Sequence, residues 1–222
     1  MSLKKYLSLE LMVLGVLTAL FLCLFPYRPL FVDLGLAFFA LVLLTVNARF
    51  TKHVIWRQFP TSGTKTARLR ACLIRVSLVT LGVVVVCFGI GVAREYAANG
   101  GQLSLERMVN GHLLLAMLVY FPWALLQQTL FQFYLLGRLH TLLPAKIAIL
   151  ATGGAYAFVH LPEVWVTVGT AAAGIFWTSL YLQYRCLTPL ALSHTVLGAT
   201  FYYWVYGQDL LEAWLPLVSR GS

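Results

Sequence analysis

The chain has 222 residues, of which 60% are hydrophobic and only 10% are charged. Soluble domains average about 25% charged residues, so a soluble globular protein is excluded and lipid is the expected solvent. The net charge of +9 sits mainly between apolar runs, which reads as membrane topology; no nucleic acid partner is expected.

In chain order, residues 1–25 carry Lys4 and Lys5 and then an apolar run, but Pro26, Tyr27 and Arg28 follow where a cleavage site would need small residues. This reads as an uncleaved first transmembrane helix. Seven spans are predicted, at roughly 8–25, 30–47, 72–93, 108–136, 146–161, 164–184 and 187–206, against about 20 residues needed per crossing. Between the second and third lies Arg49 to Arg70, the one polar loop, with the turn-rich cluster Pro60, Thr61, Ser62, Gly63 and Thr64. It reads as the main cytoplasmic loop, with docking of anionic lipid as the weaker alternative. The long fourth span is expected to kink at Pro122. Residues 209–217 are amphipathic and read as interfacial.

The fold class is therefore all-α, a polytopic transmembrane helical bundle. Three parts are expected: 1–107, N-terminal transmembrane helices and a basic loop; 108–206, a helical core; and 207–222, an interfacial or disordered tail. With the N-terminus in the cytoplasm, Lys4, Lys5, Arg49, Lys52, Arg57, Lys65, Arg68, Arg70, Arg75, Arg138, Lys146 and Arg185 fall on the cytoplasmic side. Arg28, Arg94, Arg107 and Arg220 fall on the other, a ratio of 12 to 4 that fits the excess of Lys and Arg in cytoplasmic loops. The expected location is integral to a membrane, bacterial inner membrane by this reading. Cys23, Cys72, Cys87 and Cys186 form no CxxC pair and lie in or beside apolar segments. They read as small hydrophobes, with neither a disulfide framework nor a zinc site.

Polar side chains inside spans are costly and so point to function. Three places stand out. Gln127, Gln128 and Gln132 fall late in the fourth span. Gln128 and Gln132, four apart, share a helix face, and Gln127 is offset from Gln128 by about 100°. A lone Gln would serve as interhelical glue, whereas three in six residues suggest a built polar cavity. Tyr156 and His160, again four apart, follow Gly153 and Gly154, which permit close helix approach. His194 opens the seventh span after Pro189, and Gly198 four residues later is expected to leave space on the His face. His160 fits poorly in depth, near the outer end of its span, unless that helix is short or tilted or the span has other boundaries.

These segments, in this order, resemble the CAAX protease and bacteriocin-processing family of intramembrane peptidases, also called Abi, over roughly residues 108–206. That family carries EExxxR, then FxxxH, then HxxxN or HxxxD on successive helices. Here the positions read Gln127-Gln128-Thr129-Leu130-Phe131-Gln132, Tyr156-Ala157-Phe158-Val159-His160 and His194-Thr195-Val196-Leu197-Gly198. The resemblance implies that a Glu and the first His activate water against a peptide carbonyl, while the second His and the Asn stabilise the oxyanion. It places Gln127, Gln128, His160 and His194 at catalytic positions, and Gln132, Tyr156 and Gly198 at substrate-binding ones.

The chain departs from the pattern at the chemistry. Both Glu positions, and the Arg position, are Gln, and the Asn position is Gly198. A Gln amide cannot accept a proton as a base at working pH. Loss of two anions and one cation together reads as a natural, charge-free variant rather than a trapping substitution. The expectation is a peptidase scaffold acting on a membrane-associated peptide, inactive or impaired as it stands. The alternative is a natural pseudoprotease that binds a membrane partner or peptide without cutting it. A transporter or lipid-handling protein is the third reading; no pair of broken helices in matching halves supports it. Membrane lipid and a membrane-associated peptide or protein are the expected partners. No cofactor is expected, and no metal, since zinc wants three or four ligands and the motifs offer two histidines.

Overall fold

A computed structural model describes residues 2–23, 30–103, 105–208 and 210. Every regular element among them is helical, as the apolar runs predict. The helices are α1 (Leu3–Cys23), α2 (Leu30–Phe50), α3 (Lys65–Ala98), the short α4 (Leu105–Met108), α5 (Gly111–Gln128), α6 (Leu136–Leu142), α7 (Ala145–Phe158), α8 (Val164–Tyr184) and α9 (Leu187–Thr200). Wider π-type turns extend three of them: Thr51–Ile55 after α2, Thr129–Leu135 between α5 and α6, and Phe201–Tyr206 after α9. The resulting long helical runs match the seven predicted spans, a count that remains approximate. Among the described residues, four runs are long and apolar enough to cross a membrane: Ala37–Gln58, Lys65–Ala98, Gly111–Leu142 and Val164–Tyr184. Their apolar side chains point outward: Val46 is 74% exposed and Leu118 71%. In water that surface would drive aggregation; against lipid tails it is at home.

The expected long polar loop is shorter than predicted. The helical run from α2 continues through the π turn and a 3₁₀ turn, Trp56–Gln58, because this segment has its own packing. Thr51 and Ile55 are fully buried, and the Trp56 indole N–H donates to the Phe133 carbonyl at 2.8 Å. Only 59–64, which holds the Pro60–Thr64 turn cluster, links to α3. Helix α5 runs through Pro122. The interfacial segment 209–217 lies outside the described residues, apart from Leu210.

The chain divides into two compact units: Met1–Thr64 with Gln127–Leu187, and Lys65–Leu126 with Thr188–Ser222. In unit one, α7 and α8 form a close hairpin. A Cβ on Gly153 would come within 2.9 Å of the Ile175 backbone nitrogen, and one on Gly174 within 3.2 Å of the Gly153 Cα. Glycines at both positions let the backbones meet, as small residues do in membrane helix pairs. Arg185 ends α8 in the left-handed region (φ 56) with its guanidinium over the Trp56 ring, 3.6 Å from the centroid.

In unit two, Cys87, Met108, Leu113, Ala199 and Trp204 form a buried core. The Trp204 indole N–H donates to the Met108 carbonyl at 2.7 Å. Gly91 faces both residues, and a Cβ there would meet each at 2.8 Å. The Thr80 and Ser193 hydroxyls share a hydrogen bond of 2.7 Å, which ties α3 to α9.

Candidate functional site

Unit one holds the first two motifs. Gln127 and Gln128 end α5, and Gln132 sits in the π turn that follows. Gln128 and Gln132 are fully buried. Among the described residues, five of their buried amide atoms have no hydrogen-bond partner: Gln127 Oε1, and both the oxygen and the nitrogen of Gln128 and of Gln132. A buried polar atom left without a partner costs about 1–3 kcal/mol, so a cluster of them is a feature to be explained. Thr178 on α8 is also fully buried with its hydroxyl unpartnered.

The second motif packs directly on the first. The Phe131 and Tyr156 rings lie 4.3 Å apart between centroids, so the side chain next to Gln132 touches the buried Tyr156 of α7. Trp177 also meets Tyr156, edge-on at 5.7 Å. His160 lies beyond the end of α7, in the turn before α8, with its ring parallel to that of Tyr156 at 6.1 Å. Helix α7 is short, which is a condition under which His160 was expected to fit in depth. Helix α7 has 14 residues, about 21 Å at 1.5 Å per residue, well under a full crossing.

His160 Nδ1 lies 2.8 Å from the Tyr156 carbonyl oxygen. A carbonyl only accepts, so Nδ1 carries the proton in this bond, and a neutral ring then keeps its lone pair on Nε2. That is the tautomer a general base needs.

Unit two holds the third motif. His194 is buried on α9. Its Nε2 lies 3.1 Å from the Tyr120 hydroxyl of α5, and the two rings meet edge-on at 5.5 Å. Sequence reasoning expected open space beside Gly198. Instead the Tyr120 ring fills it: a Cβ on Gly198 would come within 2.7 Å of Tyr120 Cε1.

Several polar residues were not singled out from the sequence. Arg138, counted there as a loop charge, is fully buried on α6. Its Nε–H donates to Glu10 of α1 at 2.9 Å, and its Nη1 donates to the Thr51 hydroxyl and the Tyr134 carbonyl, both at 3.1 Å. The Tyr134 hydroxyl donates to the other Glu10 oxygen, and the guanidinium sits 3.4 Å from the Tyr134 ring centroid. Glu10 was findable, because a lone acid within the apolar run 8–25 needs a buried partner. Among the described residues, no group of three or more His, Cys, Asp or Glu side chains could hold a metal ion.

Comparison with known proteins agrees with the motif order. A family model described as "Rce1-like: Type II CAAX prenyl endopeptidase Rce1-like" matches residues 109–200. No curated protein and no solved structure matches the chain. The matched range contains all three motifs, so over residues 109–200 the chain is similar to the Rce1-like type II CAAX prenyl endopeptidases.

Proposed function

We propose that this scaffold receives a membrane-associated peptide among the amides of Gln127, Gln128 and Gln132 and holds it without cleaving it. The observation that carries the reading is the set of five buried, unpartnered amide atoms in unit one. Each Gln offers both donors and an acceptor, which suits the alternating N–H and C=O of an extended peptide. None offers a base or a charge. A family carboxylate in a dry cavity becomes an available base through desolvation; an amide at the same place binds but does not take the proton. Gln127 and Gln128 thus occupy the catalytic positions in shape only, with Gln132 and Tyr156 as contacts to the peptide. His194 and Gly198 keep the positions that the third motif assigns them.

One observation favours a second reading, hydrolysis through histidine. The bond from His160 Nδ1 to the Tyr156 carbonyl leaves Nε2 as a potential base.

The test measures binding and cleavage of a prenylated tail peptide in lipid vesicles that contain the full chain. Binding without products is expected, lost in the Gln128→Leu/Gln132→Leu variant while its melting temperature holds. Undiminished binding by that variant would sink the proposal. Products from the unmodified chain that vanish on His160→Ala would establish the second reading.

A further inference from the structure

We infer that Tyr120 is a positioning residue that caps His194, and that Gly198 is glycine to make room for it. The cap is a contact inside unit two, and it stands independently of the reading of the glutamines.

The tyrosine hydroxyl lies 3.1 Å from His194 Nε2. A phenol is a good donor and a poor acceptor, whereas the bare nitrogen of a neutral imidazole is a good acceptor. The hydroxyl therefore donates to Nε2, which fixes the ring proton on Nδ1. The imidazole is buried and the phenol only half-buried, so the tyrosine stands on the more open side of the pair. With its Nε2 lone pair occupied, His194 neither accepts a proton nor donates to an oxyanion from that nitrogen while the cap is in place.

Gly198 explains how the cap is accommodated. It lies four residues after His194, on the same helix face. A Cβ there would sit 2.7 Å from Tyr120 Cε1 and 3.4 Å from both Cζ and the hydroxyl oxygen. Real Cβ atoms do not approach a ring carbon that closely, so any side chain at 198 must displace the Tyr120 ring. A polar side chain at 198 and a phenol at 120 are alternatives for one volume beside His194. This chain has the phenol.

The experiment is nitrogen NMR of the full chain, labelled at histidine, in nanodiscs, with His194 assigned by His194→Gln. One fixed tautomer is expected, protonated at Nδ1 with Nε2 accepting. Tyr120→Phe keeps the ring against Gly198 and removes only the hydroxyl. Its expected effect is loss of the hydrogen-bonded Nε2 signature. A protonated Nε2 in the unmodified chain, or a His194 signal unmoved by Tyr120→Phe, would overturn the inference. Thermal unfolding supplies the second measurement. Gly198→Asn should lower the melting temperature with Tyr120 present and be tolerated with Tyr120→Ala. An equal loss in both backgrounds would show that the two positions do not share the volume and would overturn the pairing.

Discussion

The helical stretch 127–142 of unit one carries two buried polar groups of opposite character. Around Arg138, a full charge is met by Glu10, Thr51 and a backbone carbonyl, with the Tyr134 ring beneath, and only Nη2 has no hydrogen-bond partner among the described residues. Gln128 and Gln132 carry no charge, and their amides have no partner among the described residues. Both positions are fully buried, so burial does not separate them. The difference is how much of the partnering the described chain supplies: most of the Arg138 guanidinium is answered from within, whereas neither amide atom of Gln128 or of Gln132 is. The Arg138 cluster reads as structure, tying α1 and the π turn at Thr51 to α6. The proposed function makes the glutamines the site.

Substitutions can break this comparison. The largest effect belongs to Arg138→Ala, which leaves Glu10 without its buried counter-ion. Removing one partner of such a pair costs roughly 3–5 kcal/mol, to be read as a fall in stability in detergent titration. A loss below about 1 kcal/mol, the range of an exposed pair, would mean that the cluster is not what holds α1. Next is Gly153→Ala. Its methyl would meet Ile175 Cγ1 at 2.5 Å and the Ile175 backbone nitrogen at 2.9 Å. Overpacking of this kind costs about 1–3 kcal/mol, and thermal unfolding should show that loss. Thr51→Val removes one hydrogen bond to the guanidinium, worth about 1.5–3 kcal/mol, and should fall in the same range as Gly153→Ala. The smallest effect, and opposite in sign, is expected of Gln128→Leu. It deletes two unpartnered atoms and keeps the volume, so stability should hold or rise by about 1 kcal/mol. A loss as large as that of Arg138→Ala would place the glutamines with the structural cluster and remove the contrast.

Much of this was legible in the sequence. Apolar runs of span length gave an all-helical membrane chain, because lipid forces backbone polar groups to pair within the helix. The first two motifs do meet, through Phe131 and Tyr156. The misses share a physical origin. Positive charge was read as topology wherever it fell near a span end, so Arg138 was assigned to a loop. Its burial depends on Glu10, 128 residues away, and no local pattern reports that pairing. The segment 51–58 was taken as loop because it is polar, yet its packing against Phe133 and Gly137 is a tertiary fact. Gly198 was read as empty space because a glycine says only that nothing projects from it; what fills the gap is Tyr120, from another helix.

The most direct test of the central claim is a single side-by-side assay in vesicles. It measures capture and cleavage of a prenylated tail peptide by the unmodified chain and by its Gln127→Glu/Gln128→Glu version. The account predicts capture by both and no products from the unmodified chain, since the amides supply hydrogen bonds and no base. Cleavage by the unmodified chain at a rate matching the Glu version would contradict it, and the glutamines would then be bystanders to chemistry done by histidine.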